Sequence, residues 1–209
     1  EFAPFISSVF NDVSATNVEI PWRITDRSQQ DKPGLTQGIL KLLEISTKRI
    51  NASAVELLLA NPVIQAQHRL NQEEVALINN HLQHTGFRWG IDAQDRNGDD
   101  VHSLTWCLER WLLGLVLPSQ PGLTAKGAAP FSKGITPKEL TKWWGLLANI
   151  CNHLREFREP HTCKEWVDIL KSSLNSLFGD GGPWSWEYKS FLVVLEEWHE
   201  IAGACQLKL

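Results

Sequence analysis

Apolar residues recur every three or four positions through most of this chain, and that spacing, sustained over successive segments, leaves little choice but packed helices. Leu140, Trp143/Trp144, Leu147, Ile150/Cys151 and Leu154 form one stripe, and Trp166, Leu170, Leu174 and Leu177 the next. Tyr188, Phe191/Leu192, Leu195, Trp198 and Ala202 form a third, and Leu104, Leu108, Trp111/Leu112 and Leu115 a fourth. The adjacent apolar pairs widen each stripe, so each helix touches two neighbours, which predicts an all-α helical bundle rather than a coiled coil. A chain of 209 residues is long enough to bury roughly 70% of its unfolded surface in one such core.

Helix starts carry their own signal. In a capping box a side chain at the helix start accepts from the third amide, and a Glu there reaches back. The pattern occurs at Ser53 with Glu56, Asn71 with Glu74, Thr136 with Glu139, and Thr162 with Glu165; Pro137 stands just after Thr136, where its missing N–H costs nothing. Gly38 interrupts the first helical pattern, which begins at Leu35. Residues 4–13 read as a short helix, residues 18–24 as a strand, and residues 28–34 as a linker. Two loops break the helical run: the acidic residues 92–100, and residues 118–134, whose length implies mobility or cover by a partner.

Charge and composition exclude several functions. The formal net charge of −4 and pI near 6.0 argue against a protein that works by presenting a net basic surface to phosphate backbones. No apolar run approaches the length of a membrane span and no signal segment opens the chain, so a soluble, unexported, cytoplasmic protein is expected. The chain has no Met, which points to processing or to a piece of something longer. Cys107, Cys151, Cys163 and Cys205 lie too far apart for a C-x-x-C unit and read as reduced, buried thiols.

The Gly-Lys-Ser/Thr loop of nucleotide hydrolysis is absent, despite Lys126 and Lys133 in a Gly-rich stretch. In the acidic loop, placing Gly98 at the obligatory turn of a calcium site puts Ala93 and Leu104 where carboxylates are required, so a solvated turn is expected. His81 and His84 share a helix face, and His161 precedes Cys163, but neither set has a third ligand; solvent-facing or capping histidines are expected, with no metal and no cofactor. His199-Glu200 begins like a zinc-protease helix, but Gly203 stands where the second histidine belongs. No nucleophile elbow or paired-carboxylate site emerges, so no catalytic residue is assigned.

Basic residues beside aromatics remain as nucleic-acid candidates, since cations position phosphates and indoles stack on bases. They are Trp22 with Arg23 and Arg27, Arg88 with Trp89, and Lys138 and Lys142 with Trp143. The competing reading makes Trp143 core and Arg88 an arginine lying over the Trp89 indole to fix a loop. Ten Trp residues also suggest a partner surface. Trp184 and Trp186 either belong to it or close the end of the bundle.

Two runs resemble the RecC family, the gamma subunit of exodeoxyribonuclease V: Ile20-Pro21-Trp22-Arg23-Ile24-Thr25-Asp26-Arg27-Ser28, and Arg88-Trp89-Gly90-Ile91-Asp92. The family has Tyr at the position of Trp22 and Ser at that of Thr25. Residues 49–69, with Val55-Glu56-Leu57-Leu58 and Asn61-Pro62-Val63-Ile64, follow its pattern of two short helices broken by a proline. Beyond Leu117 the likeness is one of pattern only. The resemblance implies that residues 1–30 belong to a helicase-like subdomain 2A and residues 31–209 to an all-α insertion, subdomain 2B. It also implies a helicase-like subunit without ATPase chemistry, partnered by RecB-like and RecD-like subunits and by DNA, in double-strand break repair. A free-standing α-helical interaction module is the alternative, and a helical metalloenzyme around His81 and His84 the weakest third.

Overall fold

A computed structural model describes residues 34–117, 128–131, 134–202 and 208. All of them fall in one compact unit, Pro33–Leu209. The expected helix at residues 4–13, the strand at 18–24, the linker as far as residue 33, and Trp22, Arg23 and Arg27 lie outside the described residues, as does most of the loop at 118–134.

The described residues form eight α-helices and no strand: α1 (Leu35–Ser46), α2 (Ala52–Leu59), α3 (Pro62–His68), α4 (Gln72–Thr85), α5 (Leu104–Val116), α6 (Pro137–Glu156), α7 (Cys163–Ser173) and α8 (Ser185–Ala202). The all-α expectation holds. Helix α7 packs on α8, α2 on α4, and α1 against both α6 and α8. Their shared core is built on Trp111, Trp143 and Phe178, each at most 1% exposed, surrounded by Leu35, Leu42, Ile64, Leu82, Leu147 and Leu174.

Three of the four reciprocal caps form as read: Asn71 with Glu74, Thr136 with Glu139, and Thr162 with Glu165. Ser53 with Glu56 does not. Asn51 takes the cap of α2, its Oδ1 accepting from the Ala54 N–H at 2.9 Å, while Glu56 accepts from Asn79 of α4. An Asn two positions earlier is as good a cap as Ser and starts the helix sooner. The proline break expected after α2 is present: Asn61 Oδ1 accepts from the Val63 and Ile64 N–H groups and Pro62 opens α3.

Gly38 sits inside α1 because the α7 end approaches there. A Cβ on Gly38 would stand 2.4 Å from the Phe178 ring. The segment Leu174–Phe178 is itself wound as a π-helix, which carries Leu174, Leu177 and Phe178 into the core. The fourth stripe is narrower than its spacing suggests: Leu104, Leu108 and Trp111 are buried, whereas Leu112 and Leu115 are exposed.

Candidate interface around Trp89

Helix α4 ends at Gly86, whose φ of 98° lets the chain turn back. The Arg88-Trp89-Gly90-Ile91-Asp92 run that follows is fastened at nearly every residue. The Arg88 N–H donates to His102 O at 3.0 Å and the Gly90 N–H to Ile50 O at 2.9 Å. In return, the Leu104 N–H donates to Gly90 O at 3.0 Å, and the N–H and hydroxyl of Thr105 donate to Ile91 O at 2.9 and 2.8 Å. Ile91 is buried beneath these bonds. The run therefore joins the start of α5 to the link between α1 and α2.

Its acidic continuation is drawn inward by α6. Arg155 Nε and Nη2 both donate to Asp92 Oδ2, at 2.9 and 2.6 Å. Arg158 donates to Asp95 Oδ1 at 2.5 Å, to Ser46 O at 3.0 Å and to Lys48 O at 3.4 Å, so one guanidinium ties α6, the end of α1 and the acidic loop. Burial pushes the Asp95 carboxyl up, but the Arg158 guanidinium and the Ile91 N–H outweigh it and hold the group below the usual carboxylate range. The solvated turn expected at 92–100 thus holds for Asp99 and Asp100, which are exposed, and not for Asp92 and Asp95.

Trp89 is half-buried and carries two guanidinium groups, Arg49 at 4.5 Å from the ring centroid and Arg96 at 4.8 Å. Arg96 also donates to Trp89 O at 3.2 Å. Arginines do lie over the indole and fix the loop, as one reading of the sequence had it, but they come from positions 49 and 96. Arg88 is exposed. Since cation–π contact already engages the Trp89 ring, the indole is a fixed pillar rather than an open stacking platform. Beside it lies a polar cleft of about 370 Å³, lined by Lys48, Arg49, Trp89, Asp95, Asn97 and Arg158 among others. Exposed Arg49 and Arg88 have no carboxylate partner among the described residues, whereas Lys48 is paired with Glu44 at 2.6 Å. The corner can offer an anionic surface two cations that no carboxylate neutralises, Arg88 and the Trp89-stacked Arg49.

The other candidates separate from it. Lys142 is engaged by Glu74 at 2.6 Å and Arg69 O at 2.8 Å, Trp143 is core, and Lys138 is exposed. His84 donates to Asn80 O at 2.8 Å and His161 to Glu156 O at 2.8 Å, as capping histidines do. His81 is a correction: its ring lies 5.9–6.2 Å from those of Trp111, Phe131 and Trp143, and its Nε2 is buried. Aromatic rings from α5, α6 and residue 131 surround an imidazole that was expected to face solvent or cap a helix. Among the described residues no group of three or more His, Cys, Asp or Glu converges as metal ligands do. Trp184 packs on the core at the end of the bundle, and Trp186 is half exposed.

Sequence reasoning missed Arg49, Arg96, Arg155 and Arg158. The last two carried a signal, since an i, i+3 arginine pair at a helix end matches the Asp92 and Asp95 spacing.

Residues 32–209 match the RecBCD enzyme subunit RecC fourth domain. The chain belongs to this RecC family. It is 24% identical over 184 residues to the RecBCD enzyme subunit RecC of Escherichia coli strain K12, covering 85% of this chain and 16% of the relative. It is 21% identical over 206 residues to the same subunit of Buchnera aphidicola subsp. Baizongia pistaciae, covering 96% of this chain and 18% of the relative. The chain thus spans less than a fifth of the RecC relatives it matches. Among the described residues no helix is long and apolar enough to cross a membrane.

Proposed function

We propose that this chain is the all-α, 2B-type insertion of a RecC-like subunit and serves as a rigid, non-catalytic block in a complex with RecB-like and RecD-like subunits that processes DNA ends for recombinational repair. The observation that carries the reading is the match of residues 32–209 to the RecC fourth domain. The unit boundary between Lys32 and Pro33 supports a division between a short leading segment and this domain. The build of the Trp89 corner supports rigidity: its motif residues are spent on hydrogen bonds and ion pairs that lock helices together.

The corner's DNA role is positional. Arg88 and the Trp89-stacked Arg49 are the corner's exposed cations without a carboxylate partner among the described residues, and phosphate contacts set register without reading sequence. Trp22, Arg23 and Arg27, on the leading segment, are separate candidates for contact with DNA or a partner. The test is DNA-end binding by the assembled complex carrying Arg88→Ala, measured across salt concentrations. Affinity falls and the log–log salt slope becomes shallower by about 1 if Arg88 meets a phosphate; an unchanged slope removes Arg88 from the DNA contact.

A further inference from the structure

Helix α8 exposes four apolar side chains on the side that faces away from the bundle. Its inner side meets α7 and α1, with Leu195 and Glu187 buried and Tyr188, Phe191, Leu192 and Trp198 against the core. On the other side Trp186 is 50% exposed, Val193 56%, Val194 58% and Ile201 86%. Their spacing of 7, 8 and 15 residues from Trp186 places all four on one stripe about 22 Å long. A surface helix ordinarily fills that side with charged residues. Here the charges on and beside the stripe are Glu197, Glu200 and Lys189, all exposed, and neither carboxylate has a basic partner among the described residues, while Glu196 is taken by Lys171 at 2.6 Å.

We propose that this face is an intramolecular docking surface, covered in the full-length subunit by another domain of the same polypeptide that presents apolar side chains rimmed by Lys or Arg. The inference rests on the RecC-type reading above. Two observations select this occupant. The chain spans less than a fifth of its RecC relatives, and its matching region is the fourth domain of that subunit, so most of such a polypeptide lies elsewhere. The two free carboxylates outnumber Lys189, so the face is net negative; it calls for a basic rim, and a second copy of the same face would repel it. A stripe of four large apolar side chains is the scale of the modest interfaces that join domains within a chain.

The experiment compares cysteine labelling in the 209-residue chain and in the purified full-length subunit, without the other subunits of the complex. Cys205→Ser is introduced first; Cys107, Cys151 and Cys163 are buried. Val194→Cys and Ile201→Cys report on the face, and Leu57→Cys, at a position 59% exposed on α2, is the reference. The two α8 positions react with a fluorescent maleimide about tenfold or more slowly in the full-length subunit, while position 57 is unchanged, if a domain covers the stripe. Equal rates in the two proteins overturn the proposal, as does protection that arises only on adding the other subunits. Failure of the RecC-type reading looks different: no longer native polypeptide contains this sequence.

Discussion

Glu187, in the last helix, caps the first: its Oε2 accepts from the Thr36 N–H at 2.8 Å and from the Thr36 hydroxyl at 2.9 Å. The residue at the N-cap of α1 is Gly34, which has no side chain to do this. A Cβ there would stand 2.5 Å from the Glu187 carboxylate, so Gly34 is what lets α8 come close enough to serve. Asn61 of the α3 cap also donates to Gly34 O at 2.9 Å. Glu187→Ala leaves the first-turn donors of α1 without their acceptor and costs about 1–2 kcal/mol. Glu187→Gln, which keeps one accepting oxygen, costs less. Urea unfolding of the three proteins gives the order directly.

Gly90 and Gly98 both have positive φ, 87° and 94°, but only Gly90 is crowded. Its Cβ would meet Asp95 Cβ at 3.0 Å and Arg96 Cγ at 3.2 Å, whereas nothing lies within 4 Å at Gly98. Gly98→Ala carries the backbone penalty alone, about 1 kcal/mol. Gly90→Ala adds displacement of the two residues that hold the Trp89 loop and destabilises by about 1–3 kcal/mol more. Thermal unfolding of both variants separates the two effects, and equal losses would mean that the loop yields without cost.

Acid weakens the fold from below neutrality. Burial lowers the imidazoles of His68, His81 and His153 beneath their ordinary value of 6.5; at His153 the Glu156 carboxylate opposes this without reversing it. A lowered folded-state value means that the unfolded chain binds protons first, so stability is complete above about pH 6.5 and falls as pH drops below it. Asp95, also lowered, adds a second loss below the ordinary carboxylate value of 3.8. Unfolding free energy measured from pH 8 to 5 falls on the acid side, and the fall is shallower in His153→Gln. A flat profile would show these histidines to be as easily protonated in the fold as outside it.

Burial pushes the thiols of Cys107 and Cys151 up to about 12. At pH 8 neither forms the reactive thiolate. In Cys205→Ser protein an aromatic disulfide reagent modifies them only at the rate of unfolding, with all three remaining thiols, Cys163 included, reacting at once in denaturant. Fast reaction in native buffer would contradict their place in the core.

The helices were legible because their signals are local. Thr136 and Glu139, or Trp143 and Leu147, declare a cap and a stripe within one turn. What the sequence concealed are partnerships across long separations. Arg49 reaches Trp89, Arg158 reaches Asp95 and Ser46, and Glu187 reaches Thr36. Apart from the matched spacing of Arg155 and Arg158 with Asp92 and Asp95, nothing in the sequence distinguishes these from solvent-facing charges. His81 and the π-wound Leu174–Phe178 were hidden for the same reason: tertiary neighbours, not periodicity, set their surroundings. The motif Arg88-Trp89-Gly90-Ile91-Asp92 was visible as a likeness, and its part in locking the loop became visible only with its hydrogen bonds.

The most direct test is to recover the native protein from source cells with an antibody to this chain and read its size and companions. A polypeptide several times longer than 209 residues, accompanied by two other large subunits and by nuclease activity that depends on DNA ends, is the predicted result. A free chain of 23.6 kDa with its own partner would contradict the RecC-type scaffold and leave an independent interaction module.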